Sequence, residues 1–340
     1  MVELPQFRDR TLVSCDQAYE NRYNRERSER PYLGMSAVGG ECARQLWYRF
    51  RWMKREIYDV ASIKRFADGH LTEEVAVDRL MENAALVVEP VDPVTGEQFG
   101  YQDFGGHFRG HMDGKITGLI EAPKTTHVLE IKAVSEENYR KLAKIVAKVG
   151  EKAALKEWNA TYYGQGQLYM LYSGLTRHFT VVCTPGGREW TSVRTEYCKD
   201  DAMAMRAKAE KIIFNERPPE RIAMAPDFYL CSFCPFAEIC WTDPTAATRN
   251  CRSCALATAK RGGDWACSLL KQDTDLTEDR QRQGCDAHAF HPLSLWDRAV
   301  DALEWDTEKQ RHNITYLMKD GETWTDKGQK AGGNNDKHKP

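Results

Sequence analysis

Seven of the eleven cysteines in this 340-residue chain fall between positions 231 and 285, in two groups. The opening residues, Met-Val-Glu-Leu-Pro-Gln, lack the basic-then-apolar pattern of a secretory signal. No apolar run is long enough to cross a bilayer, so no membrane association is expected. A cytoplasmic, reducing setting follows as an expectation, and there clustered cysteines serve as metal ligands rather than disulfides. The first group, Cys231-Ser-Phe-Cys234-Pro-Phe-Ala-Glu-Ile-Cys240, leaves a four-thiolate site one ligand short. Cys42 is the candidate for the fourth, and either an iron–sulfur cluster or zinc would suit the set. Such a centre would staple together segments far apart in the chain. The second group opens with the knuckle Cys251-Arg-Ser-Cys254 and continues with Cys267 and Cys285, with His288 able to replace one of them. Two paired thiols and two later ligands suit tetrahedral Zn²⁺. Cys15, Cys183 and Cys198 have no spacing partners and are expected to be buried thiols.

Between these cysteines the hydrophobic period changes repeatedly. Helical patterns cover Thr11–Arg30, Ala37–Arg51 (with Ser36 as cap) and Ile63–Met81. Strand patterns follow at Leu86–Val91, Phe108–Ile116 and His127–Val134, then helices at Glu136–Val149 and Thr161–Tyr172. His178–Thr184 and Trp190–Tyr197 read as strands, and Asp200–Asn215 as a helix. The order predicts an α/β fold, a mixed central sheet flanked by helices. Residues 1–217 form the expected core, with a boundary at Pro218-Pro219. Residues 218–245 carry the first cysteine group and 246–292 a small self-contained zinc module. Residues 293–326 read as an amphipathic helix, Leu293–Glu308, and a hairpin, Ile314–Met318 with Thr323–Thr325, turning at Asp320-Gly321. Residues 327–340 are polar and expected to be disordered.

Within the core, Asp113 ends one strand pattern and Glu130-Ile131-Lys132 lies on the next. Period two sets Glu130 and Lys132 on one face of a strand. Two neighbouring carboxylates form a hard oxygen site suited to Mg²⁺ or Mn²⁺. A lysine beside them would orient water and offset negative charge developing on a phosphate. His70 stands on a helix ahead of this pair, and Gln165 and Tyr169 share a helix face after it. A net charge of −2 argues neither for nor against nucleic acid. Locally, Arg49, Arg51, Lys54 and Arg55 interleave with Trp47, Tyr48 and Trp52, and Lys141, Lys144, Lys148, Lys152 and Lys156 punctuate a helical stretch. These fit a phosphate-tracking, base-stacking groove or simply solvated helix faces.

His, Asp, Glu-x-Lys and Gln-x-x-x-Tyr, in that order, resemble the RecB-type nucleases of the PD-(D/E)XK superfamily over roughly residues 36 to 240. The resemblance implies a restriction-endonuclease-like core. It makes His70, Asp113 and Glu130 metal ligands with the Ile131 carbonyl assisting, and Lys132 the catalytic lysine. Gln165 and Tyr169 would position the DNA strand and the Glu-x-Lys strand. Glu73 or Glu74 stands as an alternative to His70, and Gln167 to Gln165. His107 and His111 are expected to be structural or DNA-facing. One cysteine before these motifs and three after resembles the RecB-like nucleases that hold a [4Fe–4S] cluster, among them AddB-type domains and CRISPR-associated exonucleases. With the trailing cysteine module, the arrangement is similar to bacteriophage-type exonucleases, which would act in the host cytoplasm. The implied activity is metal-dependent DNA exonuclease action in recombination, replication or end processing, with DNA ends as substrate and a recombinase or annealing protein as a possible partner. A spacer-trimming CRISPR nuclease, a non-catalytic iron–sulfur DNA-binding module and a redox protein are the other classes the motifs admit.

Overall fold

A computed structural model describes residues 9–243, 246–270, 275–289, 299–305, 314–318, 321 and 323–326. In chain order the elements are α1 (Arg10–Glu26), β1 (Leu33–Gly34), α2 (Ala43–Phe50), α3 (Val60–Met81), β2 (Val87–Glu89), β3 (Gly100–Asp103), β4 (Phe108–His111), β5 (Gly114–Thr117) and β6 (His127–Ala133). They continue with α4 (Glu136–Val149), α5 (Glu151–Trp158), α6 (Ala160–Ser173), β7 (Arg177–Cys183), β8 (Trp190–Glu196) and α7 (Lys199–Phe214). Beyond these lie α8 (Tyr229–Ser232), α9 (Ala237–Trp241), β9 (Ala257–Ala259), β10 (Trp265–Cys267), α10 (Glu278–Gln283), β11 (Ala299–Trp305), β12 (Ile314–Met318) and β13 (Thr323–Asp326).

The central sheet is mixed, in the order β2-β5-β6-β7-β8. β2, β5 and β6 run antiparallel to one another in turn, β7 is parallel to β6, and β8 returns antiparallel. The parallel step needs a crossover, which α4, α5 and α6 supply. Both faces of β6 are covered, which is why its sequence lacks clean alternation. Leu129 and Ile131 pack with Ala76 and Leu80 of α3, while Val128 joins a cluster with Leu168 and Tyr169 of α6. Asn159 caps α6 by accepting from the N–H groups of Thr161 and Tyr162, and Gly174 closes it in the left-handed conformation.

Four expectations need correction. The single strand over Phe108–Ile116 divides into β4 and β5, which belong to different sheets. The break at Met112-Asp113 hands the chain from the small β1-β4-β3 sheet to the central one. The helix expected from Ser36 begins only after Cys42, because residues 36–40 form turns held by Gly34 and Ala37 carbonyls. Ala299–Trp305, expected within a helix, is a strand paired antiparallel with β12, with two irregularities in its register. Its apolar spacing suits either period, and an available partner edge decides between them. The flanking residues 293–298 and 306–308 lie outside the described ones, as does the tail 327–340; the β12–β13 hairpin stands where expected. Finally, Cys15 is exposed, because α1 buries none of its residues, and Cys198 is only half-buried, whereas Cys183 is buried as expected.

Residues 246–289 share a hydrophobic core with the rest of the chain. Cys251, Cys254, Ala257 and Trp265 pack in the same cluster as Trp47 and Phe50 of α2 and Ile212 of α7. The contact is tight at one point: a Cβ added to Gly105 would lie 2.3 Å from the Gly262 carbonyl carbon and the Gly263 nitrogen. The aromatic residues of α2 and Arg51 form part of this core rather than an open groove, while Arg49, Lys54 and Arg55 stay at the surface. Trp47, Tyr48, Arg51 and Trp52 are buried, Arg49 pairs with Glu56, and Lys54 with Glu238. Lys152 and Lys156 pair with Glu196 and Asp201 on the surface.

Candidate active site

β6 lies at the centre of the sheet, so any polar side chain on its covered faces must find partners. Glu130, 2% exposed, accepts from Lys132 Nζ and, at 2.7 Å, from Gln165 Nε2 on α6. Asp113 sits in the gap before β5, where its Oδ2 accepts from the Ile131 N–H at 2.7 Å. That bond brings its carboxylate to the Glu-x-Lys segment. Tyr169 donates to the His111 carbonyl at 2.6 Å and accepts from Gln165 Nε2 at 3.3 Å. α6 thus holds the β4–β5 break and β6 together. The close approach requires Gly110, where a Cβ would come within 2.9 Å of the Tyr169 ring and 2.8 Å of Met35 Cβ.

α3 contributes a third carboxylate. Burial, and then the charge of Asp113, push Glu73 up to about 7, with Lys132 opposing. The same two causes push Glu130 up to about 8 and burial raises Asp113. Burial works against a charge on Lys132, but Glu130 and Asp113 outweigh it and hold its pKa above the usual lysine value. Glu130 Oε2 and Gln165 Oε1 are buried without a hydrogen-bond partner. Asp113 and Glu130 at the Glu-x-Lys segment, with Glu73 in their electrostatic reach and a buried Glu130 oxygen unpaired, are the donor types that suit a divalent cation. The residues that would hold it are Asp113, Glu130 and Glu73, with the Ile131 backbone at hand.

His70, one turn earlier on α3, is exposed, as is Glu74. Gln167 faces away from the site: its Nε2 donates to the Glu196 carbonyl at 2.9 Å and its Oε1 accepts from the Cys198 N–H at 2.8 Å. His107 is buried and bonded to the Lys260 carbonyl at 3.0 Å, a structural position, while the His111 side chain is exposed. Sequence reading did not single out Tyr162, whose ring centroid lies 5.3 Å from Lys132 Nζ. Its position three residues before Gln165, on the same helix face, was the available signal.

Cys42, Cys231, Cys234 and Cys240 line a common cavity of about 380 Å³. Cys42 caps α2, its sulfur accepting from the Gln45 N–H at 3.4 Å; Cys231 lies in α8, Cys240 in α9 and Cys234 in the turn between them. Four thiols around a space of that size fit a multi-atom iron–sulfur group. Among the described residues, no three histidine, cysteine, aspartate or glutamate side chains are arranged to hold a metal ion as they stand. Among the same residues no helix is long and apolar enough to cross a membrane.

No protein family and no curated protein matches the chain. Among solved structures it is similar to SSO0001, with a TM-score of 0.40, 16% identity, and 69% of this chain and 98% of that one covered. It is similar to an alkaline exonuclease, LHK-Exo from Laribacter hongkongensis, at 0.36 and 16%, covering 54% and 87%. A phage related exonuclease from Haemophilus somnus follows at 0.34 and 11%, covering 53% and 91%. At these scores the likeness carries no argument about chemistry, which rests on this chain's own residues.

Proposed function

We propose that the chain is a metal-dependent DNA exonuclease of the PD-(D/E)XK type, with a [4Fe–4S] cluster on Cys42, Cys231, Cys234 and Cys240. The observation that carries the nuclease reading is the meeting of Asp113 and Glu130 at the Glu-x-Lys segment, with Asp113 bonded to the Ile131 N–H and Glu130 to Lys132 and Gln165. A bound Mg²⁺ or Mn²⁺ supplies Lewis-acid polarisation of a phosphate oxygen and lowers the pKa of a water. Lys132, kept protonated by its acidic neighbours, presents a fixed positive charge to the phosphate that gains negative charge during hydrolysis. Glu130, held by Gln165, orients that lysine. Tyr169 and Gln165 tie the β4–β5 break that carries Asp113 to the strand bearing Glu130, the two carboxylates that would hold the ion. Glu73, rather than His70, completes the carboxylate set.

The test uses anaerobically purified protein with end-labelled single- and double-stranded DNA and a circular control, in Mg²⁺, Mn²⁺ or chelator. Cleavage should need metal and spare circles. Glu130→Gln and Lys132→Ala should each lower the rate by on the order of 10²-fold or more. Cutting of circles would make the chain an endonuclease. Wild-type rates in both variants would remove the site assignment.

A further inference from the structure

The second cysteine group surrounds a cavity of its own. In its knuckle the Cys254 N–H donates to the Cys251 carbonyl at 3.2 Å. The β9–β10 hairpin sets Cys267 opposite Ala257, and Cys285 follows α10. These four cysteines and His288 line a space of about 20 Å³. A space of that size admits about one water-sized sphere, hence one ion and not a multi-iron cluster. Cys254 Sγ accepts from the Leu256 N–H at 3.4 Å and the Ala289 N–H at 3.3 Å, two bonds that fix the position of the sulfur. His288 shares the wall, but its Nε2 is engaged by Ser253 Oγ at 3.0 Å.

We propose that Cys251, Cys254, Cys267 and Cys285 bind one Zn²⁺ through four thiolates, and that this ion anchors residues 246–289 against α2. Four thiolates on Zn²⁺ carry two net negative charges, and two guanidinium groups are built in close by. Arg51, fully buried, packs on the rings of Trp47 and Trp265 at 4.8 and 5.3 Å and donates to the Arg252 and Ala257 carbonyls. Arg252, 3% exposed, stacks on Trp52 at 4.0 Å and donates to Gln281 Oε1 at 2.6 Å. Arg51 lies in the electrostatic reach of Cys254 and of Glu216, and Arg252 in that of Glu278. Burying a charged tetrathiolate centre is tolerable where cations are already buried beside it. The sulfurs would have to move inward from the cavity wall to meet one ion, and metal binding supplies folding energy to a segment with few regular elements of its own.

The experiment is elemental analysis of the purified full chain, with Co²⁺ as a spectroscopic probe under reducing conditions. One zinc per chain is expected, and it should persist in Cys42→Ala, which touches only the other cysteine set. Cobalt loading should give strong thiolate-to-metal charge-transfer absorption with tetrahedral d–d bands. Cys285→Ser, at an exposed position, should lose zinc or weaken that absorption, whereas His288→Gln should keep both. A wild-type chain that takes up neither zinc nor cobalt overturns the proposal. Retention of zinc in Cys285→Ser with its loss in His288→Gln overturns the four-thiolate set.

Discussion

Glu73 and His70 lie three positions apart on α3, so they project from neighbouring points of one helix. Only Glu73 turns toward the strands, where burial and Asp113 push its pKa to about 7. A residue's part in a hard-cation site depends on that direction as much as on its ligand type. Calorimetric titration with Mn²⁺ should therefore show weakened binding in Glu73→Gln and unchanged binding in His70→Ala. The reverse pattern would return the ligand to the histidine. The same reasoning separates Gln165 from Gln167. Helical spacing sends them to different faces, one to Glu130 and the other to the start of α7.

At the scale of elements, α2 joins the two cysteine groups. Cys42 caps its first turn and Arg51 follows its last, reaching the carbonyls of Arg252 and Ala257. If the proposed cluster is bound, Cys42→Ala should remove its brown colour and, through the lost cap and lost ligand, lower the melting temperature of the whole chain. A variant that keeps its visible spectrum would take Cys42 out of the ligand set. The link from α2 to α3 is pinned differently. Burial raises the pKa of Glu56, but hydrogen bonds and charge from Arg49, with Tyr58 assisting, outweigh it and hold the carboxyl below the ordinary glutamate value. A depressed folded pKa contributes stability that is present above the unfolded value and lost as pH falls through the folded one. Glu56→Gln should accordingly cost on the order of 1 kcal/mol near neutral pH, limited by the half-exposed Arg49. The gap between the two proteins should close in acid. Melting curves across that range decide it, and a gap independent of pH would assign the effect to packing.

For the molecule as a whole, the cysteine module and the core around the central sheet melt together or apart according to whether their shared cluster is continuous. The Trp265 and Phe50 rings lie tilted against each other with centroids 5.6 Å apart, and Gly105 meets the turn at Gly262-Gly263. Gly105 also holds φ +66°, a conformation that a side chain strains. Gly105→Ala should destabilise the chain by about 1–3 kcal/mol. Calorimetry of the wild type should give one transition for core and module, since a cooperative unit shares its packing. Two resolved transitions would make the module an independent domain, as its sequence suggested.

Local patterns carried much of the outline. Period two put Glu130 and Lys132 on one face of a strand, the i, i+4 rule paired Gln165 with Tyr169, and cysteine spacing marked two groups that line two separate cavities. The α/β order with its mixed central sheet was legible for the same reason, because each element's period is written in its own residues. Choices that depend on a distant partner were not. Ala299–Trp305 accepts either period, and the edge of β12 made it a strand. The run from Phe108 to Ile116 reads as one strand until two sheets compete for its ends. Arg51 and Trp52 look like a solvent-facing basic segment, and the Cys-rich segment packed over them turns them into core. Secondary-structure period is set within a few residues of sequence, whereas burial, register and the direction of a ligand are set by whatever the chain brings back from far away.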